Sequence, residues 1–245
     1  MGLAIVLLFL VDAAQKHPTA DGRLPFLARL DNILYDTRLN LAMPRGVDPS
    51  IVILDIDERS LGEVGHWPWS RNLMAELITK LFDRYGVEVL GFDIVWAERD
   101  TSSGIDTLDA LAQKDLKQAA GFQEIYKSLR PGLDNDELFA KAMRGRSVVL
   151  GYYFSNEDRA ARVNAIPEPV LPRGSFAGRD VHITTWYGYT GNLAGYQKNA
   201  AAAGHFNPLV DDDGVTRRVP LLVEFEGAYY EALSLAVVRS YIALH

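Results

Sequence analysis

The sequence has no cysteine among its 245 residues. That absence excludes a disulfide scaffold, a thiolate zinc site and a cysteine nucleophile. It leaves the compartment open, because domains on either side of a membrane manage without disulfides. An excess of positive charge is also lacking: 25 Lys and Arg stand against 32 Asp and Glu, a net charge of −7. No Lys/Arg cluster interrupts that balance, and a duplex nucleic-acid binder needs a basic face to displace counterions. Nucleic acid is therefore not an expected partner. No apolar run reaches the ~20 residues that span a bilayer. The longest, Leu3 to Val11, is followed by Asp12. It has neither the basic leader nor the small-residue cleavage site of a signal peptide. It is read as the end of a truncated transmembrane helix over residues 1–14, with a buried core helix as the alternative. Residues 15–245 then form a single domain. The five histidines (His17, His66, His182, His205, His245) are scattered without H-x-x-x-H spacing, and there is no G-x-S-x-G elbow and no P-loop. No catalytic residue, metal site or cofactor is expected from these patterns.

What is present is ordinary globular composition, 48% hydrophobic and 23% charged. Partial helical spacing over residues 29–41 predicts a short amphipathic helix ended by Pro44 and Gly46. Ile51-Val52-Ile53-Leu54 is apolar at every position, the pattern of a strand inside a parallel sheet. Ser70 reads as the N-cap of a helix whose apolar face carries Leu73, Met74, Leu77, Ile78, Leu81 and Phe82, and Gly86 stops it. A second strand follows over residues 87–92, which makes a βαβ unit. Residues 106–129 read as one long helix broken by Pro131-Gly132, and Asp134 to Met143 as another. Val148 to Phe154 is a third strong strand. Residues 160–185, rich in proline, read as a surface loop. Val215 to Phe225 alternates as a strand, with Asp213-Gly214 and Glu226-Gly227 as turn signals, and residues 231–243 close as a helix. The expected fold is α/β: a central, mainly parallel sheet of three strands with flanking helices and an antiparallel hairpin on one edge.

In such a sheet, ligands bind beyond the carboxyl ends of the strands. Asp55, Asp57 and Asp93 stand there. Three converging carboxylates can hold Mg²⁺ or Ca²⁺, or can simply order the loops by accepting their N–H groups. Apolar strand followed by Asp55-x-Asp57 also resembles the first motif of the haloacid dehalogenase phosphatases, a nucleophile and an acid/base bridged by Mg²⁺. Glu58-Arg59 departs from that pattern. Trp67-Pro68-Trp69-Ser70-Arg71 is unusual: aromatic walls beside a guanidinium suit a clamp for a carboxylate or phosphate. The alternative is two Trp plugging the sheet edge while Arg71 pairs with Asp57 or Asp93.

As an ordered set these residues resemble the second family of CHASE sensor domains. The pattern stands here as the strand Ile51 to Leu54, then Asp55, Asp57, Ser60-Leu61, Gly65, Trp67-Pro68-Trp69 and Arg71. It continues with Gly91-Phe92-Asp93 and Glu98, residues 134–151, Gly204-His205-Phe206-Asn207 and residues 211–221. Ser70, where Pro is common, and the extra Asp212 are departures. The resemblance covers residues 32–241. It implies an extracytoplasmic ligand-sensing module of a bacterial membrane protein, periplasmic, held by flanking membrane helices and without catalysis of its own. The long insertion at 104–133 looks most like members joined to adenylate cyclases. A homodimer is implied by analogy with cyclase output, and the stimulus is a small molecule or a protein. The expected ligand-binding residues are Asp55, Asp57, Ser60, Trp67, Trp69, Arg71 and Asp93.

Overall fold

A computed structural model describes residues 25–156 and 161–245. The apolar run Leu3 to Val11, expected as the end of a membrane helix, lies outside the described residues. Among the described residues, no helix is long and apolar enough to cross a membrane. The chain divides into two compact units, residues 1–60 and 61–245.

In the first unit, helix α1 (Pro25–Ala42) begins on a proline, whose missing N–H costs nothing in a first turn. It ends just before Pro44, near the expected place. Residues 51–57 form no strand. Ile51, Val52, Ile53 and Leu54 are 69%, 83%, 88% and 58% exposed. The strand expected there is corrected: an apolar run is only a capacity for strand pairing, and these four residues have no sheet neighbour. Helix α2 (Glu58–Val64) follows.

In the second unit, helix α3 (Arg71–Asp83) presents Met74 and Ile78 inward, as its 3.6-residue period requires. Strand β1 (Leu90–Phe92) is shorter than predicted. The long helix expected over residues 106–129 is two helices, α4 (Ile105–Gln113) and α5 (Ala120–Leu133). Gln123 explains the break. Its Nε2 donates to the carbonyls of Ala112 and Leu116, satisfying backbone acceptors that the end of α4 leaves open. Pro131 lies inside the last turn of α5 and does not end it. Helix α6 (Asn135–Met143) starts as predicted, with the Asp134 carboxylate accepting from the Glu137 amide.

Strand β2 (Val148–Ser155) is the axis of the main sheet. Its first half pairs in parallel with β1 and with β6 (Ala202–His205). Its second half pairs antiparallel with β5 (Gly188–Thr190), which joins β3 (Arg162–Val163). The parallel trio is thus β1, β2 and β6, with β6 standing where residues 51–54 were expected. Two buried asparagines extend this pairing. Asn207 accepts from the Phe154 amide and donates to its carbonyl, both at 2.8 Å. Asn192 accepts from the Trp96 amide and donates to the Gly151 carbonyl.

The predicted single strand over residues 215–225 is interrupted at Pro220, which cannot donate to a ladder. Its halves are β8 (Thr216–Arg218), paired with β7 (Leu209–Val210), and β9 (Leu222–Phe225), paired with β10 (Ala228–Glu231) and β4 (Thr185–Trp186). These hairpins form separate small sheets and are not the edge of the main one. The β9–β10 turn has φ of 51° at Glu226 and 79° at Gly227, the double positive φ of a type I′ turn.

Helices α3 and α6 pack together, and Met74, Ile78, Phe139 and Met143 join Phe92, Val148 and Leu150 in one core. Each such side chain contributes about 1.5–3 kcal/mol by leaving water. Helix α8 (Leu233–Ile242) lies against β1, β2 and β6. Its start approaches β6 so closely that a Cβ on Gly204 would stand 2.5 Å from the Leu233 backbone. Helix α7 (Ala194–Asn199) contacts α6 and brings Tyr196 into the core.

Candidate functional site

The loop that leaves the carboxyl end of β1 carries Trp96, Glu98 and Asp100, and the start of α3 meets it. Ser70 does not cap α3 with its side chain. The Arg71 amide donates instead to Asp100 Oδ2 at 2.6 Å, from 29 residues away. The same carboxylate accepts from the Ser102 amide and from Asn135 Nδ2. Burial alone would raise the Asp100 pKa, but the hydrogen bonds from Ser102, Arg71 and Asn135 outweigh it and hold the group below the usual carboxylate range. Asp100 is thus an ionised, buried cap joining α3, its own loop and α6.

The Arg71 residue is 8% exposed. Its guanidinium carbon lies 4.3 Å from the centroid of the Trp96 ring, a cation–π contact. Its two terminal nitrogens reach the carbonyls of Trp69 and Glu98, both at 3.3 Å. Nε is buried and has no acceptor, and neither has the buried indole Nε1 of Trp96. Among the described residues the guanidinium makes no ion pair. Trp67 stands 5.8 Å from Trp69 and 5.9 Å from Trp96, ring centre to ring centre, and is 37% exposed.

Beside this cation lies a second network. Asp136 accepts from the Asp100 amide, from Arg99 Nε and from the Tyr196 hydroxyl. Burial, with that bond to Asp136, pushes the Tyr196 hydroxyl far above its ordinary pKa, and it stays protonated.

Of the residues expected to bind ligand, Trp67, Trp69 and Arg71 come together here, with Trp96 completing the aromatic wall. Asp93 is exposed and adds no hydrogen bond or ion pair to the cluster. Asp55, Asp57 and Ser60 belong to the first unit. The Asp57 carboxylate accepts from both the amide and the hydroxyl of Ser60, at 2.8 and 2.7 Å, at the start of α2. Those bonds lower its pKa. That is capping geometry, and nothing in it favours the phosphatase reading of Asp55 and Asp57. Among the described residues, no three His, Asp or Glu side chains lie together as metal ligands. The sequence reading missed Trp96, Asp100, Asn135 and Tyr196. Trp96 carried a signal as a large aromatic just past a strand end, and Asn135 stood within the 134–151 segment without being singled out.

A model for the CHASE2 domain family matches residues 3–245, essentially the whole chain. No curated protein matches, and no solved structure does.

Proposed function

This chain belongs to the CHASE2 domain family of extracytoplasmic sensory domains, and from that premise we propose that it is the periplasmic input domain of a bacterial membrane-bound signalling protein with an adenylate cyclase as its output. The domain itself is not the catalyst. The stimulus acts at the α3 start, and the assembly works as a homodimer joined to the membrane by flanking helices. The observation that carries this reading is the Arg71 cluster. One buried residue there touches the Trp67–Trp69 segment and the loop after β1 with its side chain and, through its backbone amide and Asp100, the first turn of α6. A ligand bound at that junction can favour one arrangement of these elements over another, and only its differential affinity for the two moves the output.

The test uses the intact membrane protein. The chain carries no cysteine, so once any cysteine elsewhere in the intact protein is replaced, one placed at exposed Tyr187 is a topological probe. Labelling of Tyr187→Cys by a membrane-impermeant maleimide in unbroken spheroplasts is expected. Labelling only after lysis overturns the periplasmic placement. Cyclic AMP output is then compared with Arg71→Met. Loss of the response to periplasmic extract, with the basal rate kept, supports the reading. An unchanged response removes the α3 start as the receiving site.

A further inference from the structure

A buried ammonium or imidazole that lacks a partner can shed its proton, but a guanidinium cannot. Arg71 therefore carries its charge into the core, where a bare charge is costly unless it is paired. The molecule shows what pairing looks like. The side chain of Arg217 is 6% exposed and meets Asp211 and Asp213, each at 2.8 Å. The Arg71 guanidinium meets the carbonyls of Trp69 and Glu98, both at 3.3 Å, the Trp96 face and the Tyr196 hydroxyl, and makes no direct ion pair among the described residues. Two buried donors, Arg71 Nε and Trp96 Nε1, point from one cation–π pair and have no acceptor.

We propose that Arg71 and Trp96 form a binding site for an organic monocarboxylate with an apolar or aromatic body, the carboxylate taking Arg71 Nε and Trp96 Nε1 and the body lying against Trp67 and Trp69. This rests on the sensory reading above and names the ligand class. A carboxylate supplies two acceptor oxygens and the single negative charge that Arg71 lacks. A dianion fits worse, because the ionised Asp100 carboxylate already caps the Arg71 amide and would repel a second charge. The tryptophan walls reward an apolar body and leave a small hydrated anion little to gain. Trp67 is the most exposed aromatic of the cluster.

The experiment is a titration of the whole chain, followed by tryptophan fluorescence and by thermal melts. The probes are acetate, benzoate and indole-3-acetate, with benzamide as neutral isostere and inorganic phosphate and sulfate as competing anions. Benzoate and indole-3-acetate are expected to quench the tryptophans saturably. At 100-fold excess over Kd they should raise the melting temperature by about 5 °C or more. Benzamide, phosphate and sulfate should do neither. Arg71→Met should weaken benzoate about 10- to 100-fold. Trp67→Ala leaves the buried pair in place and should weaken indole-3-acetate more than acetate, which keeps the test decisive if Arg71→Met fails to fold. Equal binding of benzamide, tighter binding of phosphate, unchanged binding by a folded Arg71→Met, or no binding by any carboxylate each overturns the proposal. Cyclic AMP output separates it from the sensory reading. Saturable carboxylate binding without any change in output keeps the site and removes the signal. An Arg71-dependent output with no carboxylate binding does the reverse.

Discussion

Arg71 and Arg217 are both nearly buried cations, and the fold treats them oppositely. Arg217 sits in the β7–β8 hairpin, where Asp213 is four residues away and Asp211 six, and its side chain pairs with both. Arg71 sits where three elements meet and has an aromatic face, two carbonyls and the Tyr196 hydroxyl, but no direct ion pair among the described residues. The Asp100 carboxylate accepts from the Arg71 amide, Ser102 and Asn135. A local hairpin can neutralise its own arginine within a few residues. A junction can leave a charge open, and an open buried charge is affordable only where something else arrives to meet it.

The sharpest way to break that comparison is to remove the satisfied cation. Arg217→Met leaves two carboxylates facing each other without their shared partner. Breaking a buried pair from one side costs 3–5 kcal/mol. Asp211 and Asp213 are themselves 24% and 36% exposed, so the expected loss is at the lower end, about 3 kcal/mol. Urea unfolding at pH 7 measures it. A loss under about 1 kcal/mol would mean that the hairpin ion pairs are solvated decoration.

His205 supplies the next test, because it shows what this interior does to a titratable cation with no partner. It is fully buried, with Phe154 at 6.0 Å, and neither ring nitrogen has a hydrogen-bond partner. Burial pushes its pKa down from 6.5 to about 4. The folded state thus binds its proton less readily than the unfolded chain does. The stability this neutral histidine allows is present above pH 6.5 and is lost as pH falls from 6.5 toward 4. The expected loss between pH 7 and pH 5 is about 2 kcal/mol. His205→Phe should remove that slope, and melts at the two pH values decide. Asp100 titrates below the ordinary carboxylate range and leaves this window clear.

How much of this was legible in the sequence depends on the range of each interaction. Helix α6 was legible to within one residue, and its cap is local, since Asp134 and Glu137 are three residues apart. So was β2, which is buried at nearly every position because it is central in the sheet, with α8 against it and Val148, Leu150, Tyr152 and Phe154 in the core. The start of α3 was legible in place but not in mechanism: Ser70 looked like the cap, and the actual cap comes from Asp100. The run at residues 51–54 had every local property of a buried strand, yet β6, 150 residues further on, takes the third parallel position. Asn192 gave no signal and Asn207 stood only as part of Gly204-His205-Phe206-Asn207, because the role of an asparagine that completes a ladder is recognisable only once the strands are assembled. At the candidate site, the tryptophans and Arg71 stood out as a composition. The lack of a counter-charge for Arg71 could be seen only in three dimensions.

The smallest expected effect is the most telling. Arg71→Met removes a buried guanidinium, two long hydrogen bonds and a cation–π contact, and puts a flexible apolar chain against Trp96. The lost contact contributes about 1–2 kcal/mol, and the two carbonyl bonds little more at 3.3 Å. Against that stands the cost of holding an unpaired charge out of water, which methionine does not incur. The two nearly cancel, so the ligand-free variant should lie within about 1 kcal/mol of the parent, where Arg217→Met does not. Urea midpoints of the two variants under identical conditions make the comparison. A loss near 3 kcal/mol at Arg71 would mean that the carbonyls and the indole already satisfy the cation, and the site would then be architecture. A change near zero would mean that the protein keeps an arginine there that its own stability does not require.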